Sequence, residues 1–303
     1  MIPSITQIIL RKNTRLYIAF NAMNRIVLEH TDVLNLLPNR KADSHKGNYG
    51  RLLMLCGSRG YTGAAALAAM GALRSGAGLV FLGVPQSIYA IEAIKLLEPV
   101  VFPLPDEDGM FSEAGLYEIR RRMNGMDAIL IGPGLGQSPG TKAVLECVLR
   151  ESSVPVIVDA DGINLLARHT DIVRGRKATT VLTPHPGEFY KIGGMTGDRE
   201  KAALDMAKHL DCIIVLKGHE TVITDGNQLF LNKTGNPGMA VGGSGDVLAG
   251  MIAALIAQGI DPLAAAACGV WIHGRAGDVC AEKLGQYGML PSDMLLEIPR
   301  LMK

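Results

Sequence analysis

The sequence predicts an α/β fold with a mainly parallel central sheet and helices on both of its faces. Three observations carry this. Six short apolar runs recur between residues 51 and 218. Each run is continuously apolar rather than alternating, which is the pattern of a strand covered by helices on both sides. Longer stretches with helical spacing separate them, and such strand–helix alternation defines doubly wound layer folds.

In chain order the predicted strands are "RLLMLCG" (51–57), "GLVFLGV" (78–84), "DAILIGP" (127–133), "VPVIVDAD" (154–161), "TTVLTP" (179–184) and "CIIVLKG" (212–218). Helices are predicted between them over 63–76, 87–97, 112–124, 140–151 and 197–210. The pattern then changes. "TVITDGNQLFLN" (221–232) reads as a hairpin with Asp225-Gly226 as its turn signal, and helices follow over 244–258, 262–284 and 292–301. No repeat, low-complexity segment or linker interrupts the series. Residues 23–303 are therefore expected to form a single domain, with 1–22 as an N-terminal extension of unknown role.

Composition narrows the function classes. Of 303 residues 48% are apolar and 19% charged, enough for a sizeable core and unlike a disordered chain. The net charge of +1 comes without a basic tract, which argues against nucleic acid and membrane surfaces as partners, since both demand clustered Lys and Arg. In the first 22 residues "RKNTR" breaks the short apolar bits, so they lack the leading charge, continuous apolar run and small-residue cleavage site of a secretory signal, and no stretch is apolar enough to span a bilayer. A cytoplasmic protein is expected; Met23 is an alternative start. The five cysteines are widely spaced without a C-x-x-C pair, and read as reduced thiols in the core.

Ligands of open α/β sheets sit beyond the carboxyl ends of the strands. Glycine or ionisable residues fall just there: Gly57-Ser58, Gly132-Pro133-Gly134, Asp159 and Asp161, His185 with Glu188, and Lys217-Gly218-His219. "GGSGD" (242–246) opens a helix, where glycines expose amides and the unpaired first-turn N–H groups favour an anion. Asp246 there reads in two ways: as a carboxylate placed to suit the helix dipole, or as a base. The apolar continuation "VLAGMIAALIA" favours the second, because burial raises a carboxyl pKa toward a useful range.

The other motifs are less specific. "IGPGLG" (131–136) only weakly matches G-x-G-x-x-G, in which Pro133 is unusual; it is either a site of close ligand approach or an ordinary turn. "LTPHPGEF" (182–189) frames His185 and Glu188 with prolines, as a preorganised site or a helix start would. Lys217 of "KGHET" (217–221) faces phosphates or is a solvated strand end. The small residues of "GYTGAAALAAMGALRSGAG" (60–78) let a helix lie close to the sheet or to a ligand. P-loop, G-x-S-x-G and H-E-x-x-H patterns are absent.

Taken together, "SHKGNYGRLLMLCGS", "GYTGAAALAAMGALRSGAGLV", "IGPGLG", "VDADGINLL", "LTPHPGEF", "VLKGHETVI" and "NPGMAVGGSGDVLAGMIAALIAQG" resemble the ADP- or ATP-dependent NAD(P)H-hydrate dehydratases, which have the ribokinase-like fold. The resemblance runs from about residue 44 to 300. It implies a metabolite-repair lyase that phosphorylates the ring hydroxyl of hydrated NADH or NADPH and eliminates phosphate. Asp246 would be catalytic base and substrate contact, with Ala64, Gly134 and His185 also touching the hydrate. Lys217, Gly218, His219, Glu220, Thr221 and Gly245 would line the adenine nucleotide, and Gly243, Ser244 and Gly245 would form the anion hole.

Sugar kinases of this fold organise Mg²⁺ through an N-x-x-E motif. Here His185 stands for the Asn while the acid is kept, so Glu188 is expected to meet Mg²⁺ through water. ADP or ATP would be the phosphoryl donor, and a homotetramer is expected. Family members often carry a fused epimerase domain, for which this chain is too short, so an epimerase is expected to be a separate protein. Two other readings stay open: a small-molecule kinase of the same fold acting on a vitamin precursor, and a non-catalytic dinucleotide sensor or assembly scaffold. The intact GGSGD weighs against the latter.

Overall fold

The computed structural model describes residues 25–167 and 169–303. The predicted strands form β2 (Arg51–Leu55), β3 (Leu79–Pro85), β7 (Ala128–Ile131), β8 (Val156–Val158), β9 (Thr180–Leu182) and β10 (Ile213–Leu216). The hairpin follows as β11 (Val222–Thr224) and β12 (Leu229–Leu231). Two strands of the main sheet have no counterpart among the predicted ones: β1 (Arg25–Ile26) and β4 (Val100–Leu104), which lie at its two edges. In β4 the signal is broken by Pro103, a residue that an edge strand tolerates. A separate small ribbon pairs β5 (Asp106–Glu107) with β6 (Met110–Phe111).

The ten-stranded sheet has the order β1-β12-β11-β10-β9-β8-β7-β2-β3-β4. Only β11 runs against its neighbours; every other pairing is parallel. The continuously apolar runs feed two cores at once, because successive side chains point to opposite faces. Leu52, Met54, Leu130, Ile157 and Val215 enter one core, while Leu53, Leu55, Ile131, Val158 and Leu216 enter the other.

The helices are α1 (His30–Leu36), α2 (Thr62–Arg74), α3 (Tyr89–Lys95), α4 (Leu116–Met123), α5 (Pro139–Glu151), α6 (Asp161–Leu166), α7 (Pro186–Lys191), α8 (Arg199–Leu210), α9 (Ser244–Ala257), α10 (Pro262–Leu284) and α11 (Pro291–Leu301). The first core takes residues of α2, α9, α10 and α11, and the second takes those of α5 and α8. Helices α6 and α7 are only six residues each, too short to leave a 3.6-residue rhythm, and were not anticipated. Among the described residues no helix is long and apolar enough to cross a membrane. All five cysteines are buried free thiols.

Helix α9 is nearly all apolar and is buried over twelve of its fourteen residues. Its neighbour α2 explains the run of small residues at 60–78. A Cβ at Gly71 would lie 2.5 Å from the Val247 carbonyl, and one at Gly250 would run into the Ala68 carbonyl. The small side chains of α2 thus bring it against α9, the helix that begins with the GGSGD segment.

Candidate active site

The carboxyl ends of β2, β7, β8, β9 and β10 converge with the N-terminus of α9. Gly243, the residue before the first turn of α9, has φ 98°, a left-handed conformation that glycine adopts without strain. The first-turn amides of Gly245 and Asp246 make no backbone hydrogen bond and remain free to meet a ligand. The start of the helix is fixed from behind by His273 of α10. Its Nε2 lies 2.9 Å from the Ser244 carbonyl, which can only accept, so Nε2–H donates. Burial pushes the His273 imidazole down to about 4, partly opposed by that bond, so it is neutral at physiological pH.

Asp246 stands in the first turn of α9, half-buried. Its carboxyl is pushed up to about 6, first by burial and then by Asp159; Lys217 opposes this, while Asp161 and Glu188 add to it. Lys217, at the end of β10, donates to Asp159 Oδ1 at 2.7 Å and lies 3.9 Å from Glu188 Oε2. Burial disfavours its charge, but Asp159 and Glu188 outweigh that and hold the ammonium above its ordinary range. Asp159 is 1% exposed and also accepts the Thr183 hydroxyl at 2.6 Å. Lys217 Nζ would lie 3.3 Å from a Cβ on Gly245, so the cation sits at the glycine turn that opens α9 rather than in solvent.

His185 and Glu188 start α7 as a reciprocal cap. Gly187 N–H donates to His185 Nδ1 at 2.9 Å, and His185 N–H donates to Glu188 Oε2 at 2.8 Å. Because Nδ1 accepts, the neutral ring carries its proton on Nε2, which is 3.4 Å from Glu188 Oε1. Glu188 is buried, whereas the His185 side chain is 56% exposed and open to a ligand.

Among the described residues no cluster of three His, Cys, Asp or Glu side chains could cage a metal. Mg²⁺ does not require one: it retains waters and takes few carboxylates alongside phosphate oxygens. A buried Glu188, 3.9 Å from the Lys217 ammonium at the start of α9, fits that demand.

Gly134 and Ala64 come together. A Cβ on Gly134 would lie 2.8 Å from Ala64 Cβ, and the Gly134 carbonyl accepts the buried Ser58 hydroxyl at 2.8 Å. The loop thus packs its backbone on the start of α2, without a dinucleotide fingerprint. In the 217–221 loop, Gly218 and His219 are exposed and Glu220 is exposed with φ 53°, while Thr221 is buried and its hydroxyl donates to the Gly218 carbonyl at 3.0 Å. Lys217 thus faces the centre of the site, and residues 218–220 form its rim.

The sequence reading missed several supports. Arg199 of α8 donates to the carbonyls of Leu216 (3.0 Å), Lys217 (3.1 Å) and His219 (2.7 Å), tying down the whole rim loop. Asp159 is legible in the sequence only as a strand-end acid, and Thr183 carries no signal of its own. Nothing in the one-dimensional pattern distinguishes Arg199 from other helix-start arginines.

A mainly parallel sheet with helices on both faces and a glycine-led helix start at its carboxyl edge is the ribokinase-like α/β arrangement, which solved structures of that class share with this chain. The chain belongs to the NAD(P)H-hydrate dehydratase family, whose model matches residues 52–300. It is 42% identical over 94% of its length to a bifunctional NAD(P)H-hydrate repair enzyme of Moorella thermoacetica, and covers 55% of that protein. It is 33% identical to an ADP-dependent (S)-NAD(P)H-hydrate dehydratase of Listeria monocytogenes, covering 88% of this chain and 92% of that one. A crystal structure of the ADP/ATP-dependent NAD(P)H-hydrate dehydratase of Bacillus subtilis, co-crystallised with ATP/Mg²⁺, matches with a TM-score of 0.80. That match has 33% identity and covers 92% of this chain and 98% of the other. The chain spans about half the length of the bifunctional relatives.

Proposed function

We propose that this chain dehydrates the S-epimer of hydrated NADH or NADPH, using ADP or ATP as phosphoryl donor. The observation that carries the reading is the half-buried Asp246 at an anion-binding helix start, with Lys217 beside it. Hydroxide is a poor leaving group, so the ring hydroxyl must be activated before it can depart. Asp246 takes the hydroxyl proton as that oxygen attacks the terminal phosphorus of the nucleotide, and the bond to the nucleotide's bridging oxygen breaks. The first-turn amides of α9 and the Lys217 ammonium stabilise the charge on the transferring group. The ring nitrogen lone pair then expels phosphate, and loss of the neighbouring ring proton restores the dihydronicotinamide. The sum is a carbon–oxygen lyase reaction.

On this reading Ala64, Gly134 and His185 contact the hydrate, while Lys217 to Thr221 and Gly245 line the nucleotide. Glu188 would hold Mg²⁺ through water, and the ion would supply neutralisation of phosphate charge. The names of the Listeria and Bacillus relatives support both the substrate and the nucleotide. Exposed Ile91, Ile94 and Leu97 beside the edge strand β4 support a homo-oligomer, and we place the tetramer, the cytoplasmic location and a partner epimerase activity within the same proposal.

The test is Asp246→Asn, assayed for recovery of dihydronicotinamide absorbance from hydrated NADH. The variant should fold, bind both ligands and lose about 10²–10⁴-fold in turnover. Turnover near wild type would refute the base assignment.

A further inference from the structure

Asp159 and Asp161 are separated by one residue, yet they serve different loops. Ala160 between them has φ 49° and ψ −118°, and Gly162 N–H donates to the Asp159 carbonyl at 2.9 Å across it. This is the first central position of a type II′ turn, which glycine ordinarily fills. A side-chain-bearing residue persists in such a conformation only when its surroundings over-determine it. Here they do. The Ala160 carbonyl accepts from Ile163 (2.9 Å) and Asn164 (3.1 Å), and Gly132 packs so closely on the Asp159 carbonyl that no side chain fits there.

The turn sends the two carboxylates apart. Asp159 goes to Thr183 and to Lys217, whose ammonium reaches the mouth of the anion-binding turn. Asp161 goes to the glycine loop. Its Oδ2 accepts Gly136 N–H at 3.0 Å and its Oδ1 accepts Gln137 Nε2 at 3.2 Å. That loop is held at its other end by Ser58 and carries Gly134 against Ala64.

We propose that Asp159 and Asp161 are positioning residues that serve the two ligands separately: Asp159 sets Lys217 for the nucleotide, Asp161 sets the 134–137 loop for the hydrate, and the Ala160 turn keeps the two tasks apart. The inference rests on the two-ligand reading of the site. Its chemistry is direct. A polyphosphate draws on the Lys217 charge, and without Asp159 the four-carbon stem of the lysine has no fixed direction. The hydrate has no such need; it requires a loop backbone that is already in place.

The experiment titrates Asp159→Asn and Asp161→Ala with ADP and with hydrated NADH separately, alongside both KM values. Asp159→Asn should weaken ADP by about tenfold, the loss of one charge-assisted contact, and leave the hydrate within about twofold. Asp161→Ala should do the reverse. Equal weakening of both ligands in both variants, or no change in either, overturns the proposal. A further cycle tests the buried Asp159 without relying on one variant. On a Lys217→Met background, Asp159→Asn should add no further loss of ADP affinity, and additive losses would overturn the role through Lys217. Because affinities are read by titration, a wild-type chain that binds both ligands without turnover refutes the dehydration reading, while the affinity split still decides this one.

Discussion

At the scale of the residue, Asp246 combines partial burial with three neighbouring carboxylates and one ammonium. A carboxyl pushed up to about 6 is still ionised at neutral pH, yet basic enough to accept a proton in a transition state. If Asp246 is the base, kcat/KM should fall about tenfold per pH unit below about 6, and a pH–rate profile of the wild type measures it. The same shift makes a stability prediction. The folded value lies above the unfolded 3.8, so the fold favours the protonated form, and that stabilisation is lost as pH rises through about 6. Asp246→Asn should therefore melt higher than wild type at pH 8, with the gap closing toward pH 4.

Legibility at this scale was uneven. The GGSGD letters marked Asp246 because glycine and a helix start have local signatures. Whether Lys217 faced solvent or phosphate could not be read from "KGHET", since the answer depends on Asp159, 58 residues away. Asp159 and Asp161 were visible as strand-end acids, but their divergence follows from the Ala160 backbone, and an alanine does not announce a positive φ.

At the scale of the element, the critical pairing is α2 on α9. Their backbones meet at Gly71 and Gly250, where added carbon would collide with carbonyl groups of the partner helix. Backbone cannot yield as a flexible side chain can. Gly250→Ala should cost about 3 kcal/mol or more in urea unfolding, beyond what helix propensity would return. Because α9 carries Asp246, the same variant should lose turnover even where it remains folded. Gly63→Ala in the first turn of α2, where an added Cβ meets open space, is the matched control for crowding.

The apolar stretch of α9 was legible as a buried helix from its composition, and the small-residue rhythm of α2 as a close-packing surface. The identity of the packing partner was not, because the contacting residues Gly71 and Val247 are far apart in a chain of 303. Strand β4 and the short helices α6 and α7 were missed for another reason. Pro103 interrupts one pattern, and six-residue helices are too brief to establish another.

At the scale of the whole molecule, one sheet separates two cores and every inner strand contributes to both. Such a sheet has no seam along which half the protein could open. We expect residues 23–303 to unfold as one domain. Trp271, the single tryptophan, reports on the first core, and far-UV circular dichroism reports on both. The two denaturation curves should coincide, and separate midpoints would contradict a single domain. The predicted extension, 1–22, lies outside the described residues.

By itself the sequence determined the fold class, the positions of most strands and helices, and the glycine segment that opens α9. Those features are written in local periods, glycines and apolar runs, which act over a few residues. Only the tertiary structure decided that Lys217 faces inward, that α2 braces α9, that Arg199 and His273 hold the loops, and that neighbouring aspartates part company at Ala160. Each of these depends on burial and on charges brought together from distant strand ends. Electrostatic and steric effects act through space, so a chain read one residue at a time cannot disclose them.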